Sequence, residues 1–160
     1  MSTPPRAMLD TQVWVFIFQH EFLQDFNSKQ PYRSILEALA ENRFVPVHSP
    51  DSLDELRYML VESRAVAKRF NVDAKLAEYF IDAITAADVG AILVEIDDPP
   101  YICSDPDDDY IIETSVAAKA RYLVSEDADI HEEAVVKYLR EHGISVVYPK
   151  QFRKILEEAS

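Results

Sequence analysis

The sequence predicts an α/β domain built on a central, mostly parallel sheet with helices on both faces. Three observations carry this. Short apolar runs alternate with segments that bear helix start signals along the whole chain, the pattern of successive strand–helix–strand units. The run Arg121-Tyr122-Leu123-Val124-Ser125 has an apolar centre without polar alternation, as strands covered on both faces do. A length of 160 residues, 48% hydrophobic and 28% charged, suits one domain with a proper core. No repeat or low-complexity stretch divides the chain. Residues 1–6 read as a flexible polar arm and residues 7–160 as a single domain.

Ala7-Met8-Leu9 forms a short buried first strand that leads into Asp10-Thr11. The bulky run Val13-Trp14-Val15-Phe16-Ile17-Phe18 follows, and its periodicity does not decide its state. Pro31 opens a helix to about Asn42, with Ile35, Leu36, Ala38 and Leu39 inward. Phe44 to His48 is a short strand. Ser49-Pro50 pairs a cap with a proline at the first helical position, and Leu53, Leu56, Leu60 and Val61 follow at helical spacing. Asp73 caps a helix with the stripe Leu76, Tyr79, Phe80, Ala83 and Ile84, stopped by Gly90. Ala91 to Ile96 is a strand. Asp105-Pro106 again reads as a helix start, for a helix to about Lys119. After the Arg121–Ser125 strand, His131 to His142 is a helix closed by Gly143. Ile144 to Tyr148 is the last strand, and Pro149 starts the last helix.

Composition narrows the function. Net charge is −13, with 29 acids against 16 bases, which excludes a general nucleic-acid binder with a basic surface. From Leu76 to Ala118 there are eleven acids and no Lys, Arg or His. Just before lies a basic segment with Arg57, Arg64, Lys68 and Arg69. One cysteine, Cys103, leaves no internal disulfide and no cysteine-rich zinc site. Two glycines leave no P-loop or dinucleotide fingerprint. An EF-hand loop from Asp105 fails because Tyr110 and Val116 stand where Gly and Glu are needed. No apolar run approaches the ~18 residues of a membrane span, and no signal peptide is visible, so a cytoplasmic location is expected.

The chemistry concentrates in Asp105-Pro106-Asp107-Asp108-Asp109. Helix capping accounts for Asp105, Asp107 and Asp108, and Asp107 and Asp108 are expected to face solvent or the helix start. Asp109 lies a turn further in, near the border of the buried face. A carboxylate there is costly without a partner, which suggests a cation. In doubly wound sheets ligands collect beyond the carboxyl ends of the strands. Asp10 and Asp127 follow strands, while Asp109 and Glu55 lie in helices that begin after strands. Four carboxylates on one rim repel one another unless divalent cations neutralise them. Oxygen-only ligation favours Mg²⁺ or Mn²⁺ over Zn²⁺.

Leu9-Asp10-Thr11, Ser49-Pro50-Asp51 leading to Glu55-Leu56, Asp105-Pro106-Asp107-Asp108-Asp109 and Tyr122 to Asp129 together resemble the successive motifs of PIN domains. The nearest group is that of toxin components of toxin–antitoxin systems. The resemblance runs from about Met8 to Leu156. It implies a PIN-like fold and a metal-dependent ribonuclease. It places catalytic roles on Asp10, Glu55, Asp109 and Asp127, with Asp10, Asp109 and Asp127 as metal ligands. Thr11 and Ser125 match the small hydroxyls beside two of the acids, and Asp129 is a helper. Gln12 stands where the family usually has Asn, and the bulky run Trp14 to Phe18 is unusual for the group. The expected activity is Mg²⁺- or Mn²⁺-dependent cleavage of single-stranded RNA, with Glu55 holding a water or acting as base. Arg57, Arg64, Lys68 and Arg69 are the expected backbone contacts. An antitoxin protein and a homodimer are the partners implied. The rival reading is a non-catalytic PIN-like module that binds metal or a basic partner. A receiver-type domain ranks below both, because no Lys ends a late strand apart from Lys150.

Overall fold

The computed structural model describes residues 3–22, 31–62, 73–97 and 102–159. Strand β1 (Arg6–Leu9) leads through helices α1 (Thr11–Phe22) and α2 (Pro31–Ala40) to β2 (Val45–His48). Helix α3 (Pro50–Arg57) runs into a π-helical segment, Tyr58–Glu62. Helix α4 (Ala74–Thr85) precedes β3 (Ile92–Leu93). A 3₁₀ turn, Pro106–Asp108, runs into α5 (Asp109–Ala117). Then come β4 (Tyr122–Val124), α6 (Glu133–Glu141), β5 (Ser145–Val147) and α7 (Pro149–Ala159). The five strands form one sheet in the order β3-β2-β1-β4-β5, and every pairing is parallel. The expected α/β architecture is therefore present. The first strand begins at Arg6, one residue earlier than expected.

Alternation along the strands divides the core into two clusters. Ala7, Leu9 and Val124 face one, with side chains of α1, α2, α3, α4 and α7. Met8, Val47 and Leu123 face the other, with Ile111 and Ile112 of α5 and Val135 and Leu139 of α6. The bulky run after Asp10 is helical. Val13, Trp14, Val15, Ile17 and Phe18 are all buried, so the helix is apolar almost all round and shows no stripe for periodicity to find. It packs against α2 and α3 and sets Trp14 and Phe18 edge-on against Phe80 of α4.

Local signals act as the sequence indicates. Ser49 and Ser52 form a reciprocal capping box at α3, and Asp73 caps α4 by accepting the Lys75 N–H. Helix α5 ends without glycine: Lys119 takes φ 54°, and the Ala120 N–H reaches back to the Ser115 carbonyl at 2.9 Å, a Schellman-type closure. Among the described residues no helix is long and apolar enough to cross a membrane.

Candidate metal centre in the acidic cleft

From β1 the chain works outward to β2 and β3, then returns to β4 on the other side of β1. The sheet order therefore reverses between β1 and β4, where a doubly wound sheet opens a crevice. Leu9 and Val124 pair at this point. Asp10 follows β1, and its N–H donates to the Val124 carbonyl at 2.9 Å. Its carboxylate accepts the N–H groups of Thr11 and Gln12, so it caps α1 while it faces the crevice. Beyond β4, the Ser125 hydroxyl donates to Asp10 Oδ2 at 2.7 Å and accepts the Asp127 N–H at 3.0 Å. Asp127 Oδ1 in turn accepts the Asp129 N–H at 2.9 Å. His131 Nε2 donates to the Ser125 carbonyl at 2.7 Å and fixes this turn from outside. Ser125 thus ties the two acids together, and Asp129 shapes the loop through its backbone.

The third aspartate that lines the cleft is Asp108 rather than Asp109. Asp109 is 0% exposed, and its Oδ1 accepts the N–H groups of Ile102 and Cys103 at 3.0 and 2.9 Å. It anchors the chain that enters the 3₁₀ turn and does not line the cleft. A buried carboxylate does need a partner; here backbone donors supply it at Oδ1, while Oδ2 is buried without a hydrogen-bond partner, as is Asp108 Oδ2. Asp108 was expected to face solvent or the helix start; instead it lines the cleft with Asp10, Glu55, Glu126 and Asp127. The physical reason is the turn type. Residues three apart eclipse in a 3₁₀ turn, which sets Asp105 and Asp108 on one edge and leaves Asp109 to turn inward. Ligand-capable oxygens of Asp105, Asp108 and Asp129 lie within 4.8 Å of one another. An acid pair at spacing three around a proline is the signal that could have found Asp108.

Burial is the main reason that Asp108 holds its proton, raising its carboxyl to about 8. The charges of Asp10, Asp127 and Asp105 add to it. The Asp10 carboxyl is also raised, first by burial and then by Asp127, while the Ser125 hydroxyl and two backbone N–H groups pull it down. Asp108 Oδ2 is buried without a hydrogen-bond partner. Repelling acids with an orphaned oxygen fit a hard divalent cation. The oxygens of Asp105, Asp108 and Asp129, all within 4.8 Å of one another, can share one ion at bonds of about 2.0–2.6 Å. The donors are all carboxylates, without His or Cys, which suits Mg²⁺ or Mn²⁺.

The remaining expected residues divide. Thr11 Oγ1 donates to Glu55 Oε2 at 3.5 Å and meets the Tyr110 hydroxyl at 3.3 Å, so it orients Glu55 on the far wall. Arg57, expected on an RNA backbone, is instead engaged by Glu78 of α4 at 2.8 Å and Asp54 at 3.5 Å, and it does not line the cleft. Arg64, Lys68 and Arg69 lie outside the described residues. Glu126 was not anticipated; it lines the cleft and accepts the Tyr32 hydroxyl at 3.2 Å. Gln12, Phe16 and Met59 complete the walls of a cleft of about 340 Å³.

A doubly wound α/β domain with a carboxylate-lined crevice at its switch point is the class that this fold and site define. The chain belongs to the PIN-domain family: the family model described as PIN domain matches residues 6–129. It carries a candidate acidic metal-binding cluster, Asp105, Asp108 and Asp129. The matched span reaches from the first strand residue through the Asp127–Asp129 turn. Among curated proteins no match is found.

Proposed function

We propose that this PIN domain is an Mg²⁺- or Mn²⁺-dependent endoribonuclease that cleaves single-stranded RNA, acting as the toxin of a toxin–antitoxin pair. The observation that carries the reading is Asp108: a half-buried carboxyl pressed against Asp10, Asp127 and Asp105, with one oxygen unpartnered at an open cleft. Asp108 would hold the cation with Asp105 and Asp129, whose oxygens lie within 4.8 Å of its own, and Asp10 and Asp127 would face it from the cleft. When bound, a divalent cation acidifies a coordinated water and offsets charge on the scissile phosphate. Ser125 fixes the Asp10 rotamer, and the Asp10 N-cap position on α1 fixes its backbone. Thr11 orients Glu55, whose carboxylate takes the proton that the attacking water sheds. The water oxygen bonds to phosphorus as the bond to the 3′-oxygen breaks. That oxygen leaves as a hydroxyl after gaining a proton from solvent, and the other product ends in a 5′-phosphate.

Family membership and the convergence of acids support this reading. A second reading, a non-catalytic module that binds a basic partner, draws on the net charge of −13. Cleavage of mixed-sequence single-stranded RNA with Mn²⁺, with and without EDTA, separates the two. The enzyme reading expects EDTA-sensitive cleavage that Asp108→Asn removes almost completely. Cleavage by Asp108→Asn equal to wild type would assign the activity to a contaminant. No cation-dependent cleavage across many RNAs, with any antitoxin removed, would leave the module.

A further inference from the structure

Phe16 has no place in the account so far. Of the six residues Val13–Phe18 it alone is not buried, and its side chain lines the acidic cleft. Met59 lines the same cleft from the α3 side. Each stands four residues beyond a polar group of the cleft: Phe16 beyond Gln12 on α1, Met59 beyond Glu55 on α3 and its π-helical continuation. Four residues of helix advance about 6 Å. The walls therefore turn from polar, Gln12 and Glu55, to apolar within about one turn, a distance of the same order as that from a nucleotide's phosphate to its base. The Phe16 ring is braced by Tyr32, with centroids 5.3 Å apart, and Tyr32 is itself held through Glu126. Met59 falls in the π-helical segment, an irregularity that recurs at functional sites.

Charge points the same way. Among the described residues no side chain that lines the cleft is basic, so these walls offer a polyanion little charge attraction beyond the cation itself. Stacking on aromatic side chains is a sequence-tolerant source of affinity open to single strands. A cleft of about 340 Å³ lies at the small end of ligand sites and has room for about one nucleotide. Resting on the nuclease reading above, we propose that Phe16 and Met59 form a base-binding subsite. It takes one unpaired nucleobase, adjoining the phosphate held at the acids, against the Phe16 ring and the Met59 thioether, with the Gln12 amide at its polar edge.

The test scans a short single-stranded RNA with 2-aminopurine, one position at a time, titrated with protein in Ca²⁺; stacking quenches this base. The subsite expects one position quenched by wild type and by Phe16→Tyr, and unquenched by Phe16→Ala. In Mn²⁺, Phe16→Ala should raise KM about tenfold, the scale of one stacked base, with kcat little changed. An abasic ribose at the quenched position should raise the wild-type KM equally and add nothing in Phe16→Ala, the mark of one shared contact. Met59→Ala should move KM in the same direction. Phe16→Leu keeps apolar bulk without the ring, and a quench that survives it would overturn the stacking role. No quenched position, or a Phe16→Ala protein that matches wild type, would overturn the subsite. Cleavage that is indifferent to Phe16 would leave the nuclease reading standing alone. A Phe16-dependent quench without cleavage would keep the subsite and remove the nuclease.

Discussion

Replacing Asp108 by Asn should stabilise the cation-free protein and abolish its response to metal. In the folded chain the Asp108 carboxyl is raised from 3.8 to about 8. A folded-state value above the unfolded one means that the folded state binds the extra proton. The stability this group contributes is thus complete below pH 3.8 and is lost as pH rises toward 8. At pH 7 the shift converts to a ceiling of about 4 kcal/mol of destabilisation. Asp108 is half-buried, and solvent screening reduces that to roughly 2 kcal/mol. Asn keeps the shape and cannot ionise, so it relieves this cost. For a chain of this size, ~2 kcal/mol corresponds to roughly 4–8 °C in Tm. The assay is a thermal melt at pH 7 in EDTA, then in millimolar Mn²⁺. Wild type should gain Tm with Mn²⁺, because a ligand of the native state alone stabilises by mass action, and Asp108→Asn should not. An unchanged Tm in EDTA together with a wild-type response to Mn²⁺ would refute the placement of Asp108 at the centre of the repulsion.

Other outcomes follow from single contacts. Asp109→Ala strips the acceptor from two backbone N–H groups and should lower stability by about 2–4 kcal/mol in denaturant melts, while the folded fraction keeps its Mn²⁺ shift. His48 is buried and donates Nε2–H to the Ile84 carbonyl at 3.0 Å, and burial lowers it from 6.5 to about 4. Its folded value lies below the unfolded one, so stability is lost as pH falls from 6.5 to 4, by a ceiling of about 3 kcal/mol. His48→Gln should flatten that part of the pH–stability curve relative to wild type. Arg57→Ala removes only exposed ion pairs and should cost under ~1 kcal/mol, with RNA KM unchanged.

The sheet was legible because each strand is a short apolar run set between helix signals, and the parallel order follows from that alternation. Caps at Ser49 and Asp73 were legible because their mechanism is local. Helix α1 was not, because burial on nearly all sides erases the 3.6-residue stripe. Asp10, Glu55 and Asp127 line the cleft from positions that strand ends and a helix start already indicate. An α-helical reading from Pro106 sets Asp109 toward the cleft, where the 3₁₀ turn sets Asp108. The burial of Asp109 was visible in the sequence, but its backbone donors, Ile102 and Cys103, belong to a loop whose path only the folded chain defines. Glu126, Phe16 and Met59 meet across three separate elements, and no local spacing reports that. Arg57 pairs with Glu78, a helix away, a contact that no local spacing reports.

The account turns on which carboxylates hold the cation, and anomalous scattering from Mn²⁺-soaked crystals answers that directly. The account predicts a peak bonded to Asp108 Oδ2 and at least one more carboxylate of the cleft, at bonds of roughly 2.0–2.6 Å, with Asp109 still on the Ile102 and Cys103 N–H groups. A peak on Asp109, or none in the cleft at millimolar Mn²⁺, would contradict it.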